Sequence, residues 1–562
     1  MTGTVESTPA DKDQKPRAGT IRIPLRLGPV SASVIVLLVV AVVFSGYFFG
    51  QSVPPWDFVW NIGDVYSWWN LGSFFHPPQY LPYTNGGYPA ALNLGNIGWY
   101  LPVGIPAELL QYTPRVAAFV QALVVWAGCV GLLQLLRHWG ITTWVACVCA
   151  VAFVFNPGFI SMAEHGGYVA AWAFLPWLLL LLSPRRNPRW WLPVVATVVW
   201  WQFFLGAYPG AIVAFAYMFA AFIVTLLIRN RRFDWRYVSY AVLPVVAGAL
   251  MSALKWVPYA LTSTGDAARE NILVTNLGSV ATILFPFGSN QLANDISMRT
   301  WFVVPIIFLA VFFIRGRTPL VIIATVLVAV SLVLGVTFSA GTEWQSVLPL
   351  LDFSRFRTVD FKIGVVVGLF MLGAAGIQSM STLKPTAEDQ RFVIRRGIVA
   401  LAVTAAIVVS AYVSPLTSAD RNKGMLWILV SIIALIIVVA VLVSGRSMTD
   451  VARVVLTGLI LGAMAAGVGF SWASGVNYLW NVDRINAETD TWGQTAASLL
   501  SNQQPASGSA RSARTGPQFP TTEWRLKHAY WSSGAYSRIP SIGGYTNLRG
   551  QPIFEELMQS AP

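Results

Sequence analysis

Apolar runs of about twenty residues recur from Val30 to Trp472, and they constrain this chain more than any other feature. A helix rising about 1.5 Å per residue needs about twenty such residues to cross a hydrocarbon core of roughly 30 Å. Charged residues make up 11% of the 562, against about 25% in a soluble domain, so the chain cannot cover a water-facing surface. The expected fold class is an all-α polytopic membrane protein.

Spans are expected at 29–49, 114–136, 141–156, 168–183, 190–206, 210–228, 237–262, 301–315, 318–338, 361–379, 397–413, 424–443 and 452–473. The first run is longer than a signal-peptide core and lacks a small-residue cleavage site, so it reads as an uncleaved helix with a cytoplasmic N-terminus. Counted from that start, the inner turns hold Arg137, then Arg185, Arg186 and Arg189, then Arg229, Arg231, Arg232 and Arg236. Arg315 and Arg317, the group Arg391, Arg395 and Arg396, and the pair Arg446 and Arg453 follow on the same side. That regularity fits the positive-inside rule with about 13 spans and an extracytoplasmic C-terminus. It also accounts for the net charge of +13 without any nucleic-acid partner. Cys129, Cys147 and Cys149 all lie in apolar runs, so neither a disulfide framework nor a cysteine metal site is implied.

The chain therefore divides into a basic cytoplasmic tail (1–28), a transmembrane domain (29–473) containing a long outer loop (50–113), and an extracytoplasmic segment (474–562). Pro106–Tyr112, before Pro114, reads as a short helix outside the membrane. Residues 501–512 read as a flexible linker, and the aromatic segment after it is too short to bury much core alone. Docking on the membrane domain and the start of a longer domain both stay open for that segment.

Carboxylates are scarce, so those placed outside the membrane are informative. Asp64, in NIGDVYSWWN, sits among aromatics after Gly63, where a partly desolvated carboxylate can act as a general base. Capping the following helix is the competing role. Glu164 and His165, in AEHGGYVAAWAFLPW, are placed to meet a polar substrate or to stand as a hydrated interfacial pair. Their spacing matches no metal motif, so no metal ligand is assigned, although a divalent ion stays open as a cofactor. Lys255, in LKWVPYALTSTG, lies about seven residues from the outer end of its span, where it either grips a lipid phosphate or snorkels. LPLLDFSRFRTVDFK places Arg355 and Arg357 on the outer side, against the inside-positive trend. Their planar forks suit phosphate or diphosphate oxygens, and ion pairing with Asp352 and Asp360 is the alternative.

Taken in order, NIGDVYSWWN, GGYPAALNLGNIGWY, AEHGGYVAAWAFLPW, GAYPG, LKWVPYALTSTG, LPLLDFSRFRTVDFK and SIGGYTNLRG resemble the YfhO family of bacterial multi-spanning membrane proteins, within the GT-C glycosyltransferase superfamily. The resemblance runs across most of the chain. It implies a GT-C-like bundle in the bacterial plasma membrane, a polyprenyl-phosphate-linked sugar as donor, and a cell-envelope glycan or lipid as extracytoplasmic acceptor. It also implies a catalytic acid residue in the first outer loop, which falls on Asp64. The short tail departs from larger members of the family, which bears on acceptor recognition. Two other functions fit a chain of this class: a transporter or flippase of a lipid-linked or polar solute, and an inactive scaffold for envelope assembly. Neither repeated halves nor a matched pair of broken helices is evident, which counts against transport.

Overall fold

The computed structural model describes residues 27–48, 99–110, 114–160, 162–163, 165–185, 189–231, 234–262, 303–335, 348–351, 354, 357–383 and 386–413, with a few short pieces elsewhere. Asp64, Glu164, Arg355, most of the outer loop, and nearly all of the last two expected spans and of 474–562 lie outside the described residues.

A helix occupies each of the eleven spans expected up to residue 413. In chain order the helices are α1 (Pro29–Val43), α2 (Ser45–Phe48), α3 (Leu101–Leu109), α4 (Pro114–His138), α5 (Thr143–Phe153), α6 (Pro157–Ile160), α7 (Gly166–Leu182) and α8 (Leu192–Gly206). They continue as α9 (Pro209–Asn230), α10 (Trp235–Met251), α11 (Ala253–Thr262), α12 (Val303–Val311), α13 (Pro319–Gly335), α14 (Arg357–Ser381) and α15 (Ala387–Val413). Two short antiparallel pairings accompany them, Ser52–Val53 with Trp480–Asn481 and Tyr80–Leu81 with Tyr88–Pro89. Among the described residues, Arg115–His138, Pro209–Arg229 and Val359–Ser381 are long and apolar enough to cross a membrane. Six further apolar helices are shorter. The protein is a helical membrane protein; the count of 13 spans is an expectation that these residues do not decide.

Helix starts follow local chemistry. Proline opens α1, α4, α9 and α13, where its missing N–H is no loss and its φ is already helical. Asp234 opens α10 by accepting hydrogen bonds from the backbone N–H groups of Arg236 (3.0 Å) and Tyr237 (3.2 Å). Asp234→Ala is expected to cost about 0.5–2 kcal/mol, read as a lower thermal midpoint in detergent.

Three boundaries differ from the sequence reading. The span 237–262 is two helices, because Ser252 leaves helical geometry and its Oγ bonds Ala249 O at 2.8 Å. α15 begins at Ala387, so Arg391, Arg395 and Arg396 lie on the helix and not in a turn. Glu388 and Asp389 in its first turn favour that early start through the helix dipole. The short helix expected at 106–112 is present as α3, five residues earlier and with Pro106 inside it.

α14 is the axis of the bundle. It packs against α5, α7, α9, α12 and α13 and is buried along most of its length. Lipid tails supply no hydrophobic drive between helices, so close approach at small residues must hold such a bundle. Gly364 and Gly368 face Ser331 and Val328 of α13, while Gly373 and Gly376 face Ile307 and Ala310 of α12. At Gly376 the neighbour is backbone, the Ala310 carbonyl.

The two ends of α14 differ. At its C-terminal end Gln378 Oε1 accepts from Thr142 N (3.1 Å) and Oγ1 (2.8 Å), and Ser379 Oγ accepts from Arg315 N at 3.1 Å. Arg315 also pairs with Asp389 and lies over the Phe392 ring at 4.6 Å. Arg315 and the turn that follows Arg137 thus meet at this end. Asp360 lies at the other end, eighteen residues or about 27 Å away along the helix.

Candidate functional site

Six residues joining two helices, Leu205–Gly210, form the hub of that other end. Gly206 closes α8, Ala207 and Tyr208 make the turn, and Pro209 opens α9. The turn is too short to leave the bundle, so its polar groups find partners among neighbouring helices.

α7 approaches first. Tyr208 N donates to Gly167 O at 3.1 Å, and a Cβ on Gly167 would lie only 3.2 Å from that nitrogen. The Tyr168 ring stacks on Tyr208, with centroids 4.4 Å apart and 20° between planes. Tyr168 Oη reaches past it and donates to Asp360 Oδ1 at 2.8 Å. The second carboxylate oxygen, Asp360 Oδ2, accepts from Ser354 Oγ at 2.6 Å. Asp360 is 1% exposed and sits against Gly210 at the N-terminus of α9, where a side chain would displace it. A buried carboxylate persists only when both oxygens are served. Two hydroxyls do so here, and the positive end of α9 adds to them.

α11 and α3 reach the same turn. Lys255 is 5% exposed and donates from Nζ to Leu205 O at 2.5 Å, meeting the negative end of α8. Its side chain is buried within the bundle. Its ammonium also lies 5.5 Å from the Trp256 ring centroid. From α3, Leu101 N donates to Gln202 Oε1 at 2.6 Å and Tyr100 packs on Gly206. The end of the long outer loop is thereby fastened to the hub. Among the described residues, the buried Gln202 Nε2 and Trp256 Nε1 have no hydrogen-bond partner.

The expected site residues can now be placed. His165 precedes α7, with its ring 6.0 Å from Tyr168. Lys255 meets the hub through Leu205, and Arg357 is the first residue of α14, one turn ahead of Asp360. Arg355 falls outside the described residues, bracketed by Ser354 and Arg357; Asp64 and Glu164 also fall outside. Among the described residues no group of three His, Cys, Asp or Glu side chains converges as a metal site needs. Tyr168, Tyr208, Ser354 and Asp360 were missed as a cluster. The available signals were a GAYPG turn between two long apolar runs and a carboxylate opening another.

Among solved structures, the chain matches ArnT from Cupriavidus metallidurans in the apo state with a TM-score of 0.50 at 14% identity, covering 94% of this chain and 89% of that one. The chain shares the overall helical fold of that structure. ArnT from the same organism bound to undecaprenyl phosphate aligns more loosely, with a TM-score of 0.46 at 14% identity over 90% of this chain and 85% of that one. An Archaeoglobus fulgidus oligosaccharyltransferase in complex with Zn and sulfate gives 0.34 at 14% identity, over 92% and 62%. No protein-family model matches the chain, and no curated protein matches it in sequence. Identity this low speaks to the fold alone.

Proposed function

We propose that this protein is a membrane glycosyltransferase that moves a sugar from a polyprenyl-phosphate donor to a cell-envelope acceptor on the extracytoplasmic face. The observation that carries the reading is a helical bundle sharing the fold of apo ArnT, with its polar hub at the end opposite Arg315 and the turn that follows Arg137. By the inside-positive trend that end faces outward. The sequence resemblance to the YfhO family supports the same reading.

In this mechanism Asp64 takes the proton of the acceptor hydroxyl as its oxygen attacks the anomeric carbon. The bond from that carbon to the phosphate oxygen breaks, and the lipid phosphate leaves with the electron pair. Arg355, Arg357 and Lys255 meet the charge that grows on the leaving phosphate. Glu164 and His165 contact sugar or acceptor. The test is transfer of labelled sugar from a polyprenyl-phosphate donor to envelope glycan by the purified, reconstituted protein. No labelled product under any donor and acceptor pairing would sink the reading.

Lys255 has its own test. Lys255→Met removes a charge-assisted hydrogen bond worth about 1.5–3 kcal/mol, which predicts a rise of roughly 10–100-fold in donor KM. An unchanged KM would confine Lys255 to capping the Leu205 carbonyl.

A transporter reading draws on one observation, the burial of Lys255, Asp360 and Lys362 inside the bundle. It predicts lipid-linked sugar crossing liposomes with no glycosidic bond formed.

A further inference from the structure

We infer that Gln202 and Trp256 complete, with Lys255, a donor site for a lipid-borne phosphate at the last turn of α8. This rests on the proposed reading in taking Lys255 as a phosphate-binding group, and it adds two neutral donors that the reading does not use.

The three groups are tied to one turn of helix. Gln202 and Leu205 are three residues apart on α8, about 4.5 Å along its axis. Leu205 O holds Lys255 Nζ at 2.5 Å, and that ammonium lies 5.5 Å from the centroid of the Trp256 ring. The start of α3 covers the same turn, with Tyr100 on Gly206 and Leu101 N donating to Gln202 Oε1 at 2.6 Å. That bond fixes the amide. Only its oxygen can accept from an N–H, so Nε2 takes the other edge, away from Leu101. Gln202 is 5% exposed, and among the described residues neither its Nε2 nor the buried Trp256 Nε1 has a hydrogen-bond partner. Native proteins seldom keep a buried donor without an acceptor, and here two accompany a buried cation.

The balance of donors and acceptors selects the ligand. The described contacts of Lys255 are a neutral carbonyl and an indole ring, with no carboxylate among them. Leu205 O, the acceptor within reach, is already engaged. A sugar hydroxyl both donates and accepts, so it would bring a further donor to a place that already has too many. An ionised phosphate oxygen only accepts, and its charge answers the ammonium. The surroundings favour a phosphate carried on a lipid over a free one. Leu254 and Val257, which bracket Lys255 and Trp256 on α11, are apolar and exposed, so this stretch of helix borders hydrocarbon.

The experiment measures binding of farnesyl phosphate, farnesol and inorganic phosphate to the purified full chain, with thermal midpoint as a control for folding. Gln202→Met removes the amide at similar length, and Trp256→Phe removes the indole N–H but keeps an aromatic ring. Each is expected to weaken farnesyl phosphate binding about 10–100-fold and to leave farnesol within about 2-fold. A general loosening of the bundle would weaken both ligands alike. Inorganic phosphate is expected to bind more weakly than farnesyl phosphate, lacking the tail. Trp256→Phe carries the test if Gln202→Met does not fold. Equal losses for farnesyl phosphate and farnesol, no loss in either variant, or no binding by the unaltered protein would each overturn the inference. Inorganic phosphate binding as tightly as farnesyl phosphate would overturn the lipid source. Sugar transfer by the unaltered protein is assayed in parallel. Selective loss of phosphate binding without transfer keeps the site and sinks glycosyl transfer, whereas transfer without selective loss sinks only the site.

Discussion

Asp64→Asn is expected to lower sugar transfer by about 10²–10⁴-fold, the range that a positioned general base contributes. The amide keeps the size and most of the hydrogen-bonding reach of the carboxylate but cannot accept the acceptor's proton at neutral pH. Donor KM is expected to stay within a few-fold, because in the proposed mechanism Asp64 acts on the acceptor and other residues hold the phosphate. A helix-capping role gives the opposite pattern. Asn caps about as well as Asp, so the substitution would then leave both transfer and thermal midpoint near their starting values. The pair of readouts separates the two roles left open by the sequence. Full activity in Asp64→Asn would remove this residue from catalysis and send the search for a base to Glu164 and His165.

The second large effect concerns the axis of the bundle. Gly376→Leu places a side chain where the Ala310 carbonyl already stands, and backbone of a packed helix cannot swing aside as a flexible side chain can. Overpacking of this kind costs about 1–3 kcal/mol and occasionally more. The expected result is a marked fall in thermal midpoint in detergent and loss of correctly folded protein from membranes. Gly316→Ala is the control. Its φ of 81° strains any side chain, by about 1–2 kcal/mol, but nothing lies within 4 Å of the added Cβ. A larger loss at Gly316 than at Gly376 would mean that the α12–α14 contact is not what holds the bundle.

Much of the fold was legible because bilayer thickness imposes one length and one polarity on every crossing element. The spans near 114–136 and 210–228 return as α4 and α9 within a few residues, and proline marks the start of each. Boundaries shifted where a local polar group outweighed apolar length, as with Ser252 dividing the 237–262 run and Glu388 and Asp389 drawing α15 forward. The site was legible in kind and only partly in membership. Lys255 stood out because a charge inside an apolar run is rare, yet its partner, a backbone carbonyl fifty residues away, has no signature in sequence. For Asp360 the sequence offered ion pairing with nearby arginines only as the alternative to their binding phosphate. Its described partners are two hydroxyls, one of them 192 residues distant.

The recurring apolar runs, then, by themselves determined a helical membrane protein, since a hydrocarbon solvent leaves the backbone few other choices. The spacing of arginines between the runs marked which turns belong together. Only the tertiary structure decided that α14 is the axis, because its glycines matter through the helices they meet. It alone brought Tyr168, Tyr208, Ser354 and Asp360 onto one turn. A hydrogen bond depends on ångström-scale placement of two groups, and sequence order carries no such distance when the groups lie on different helices.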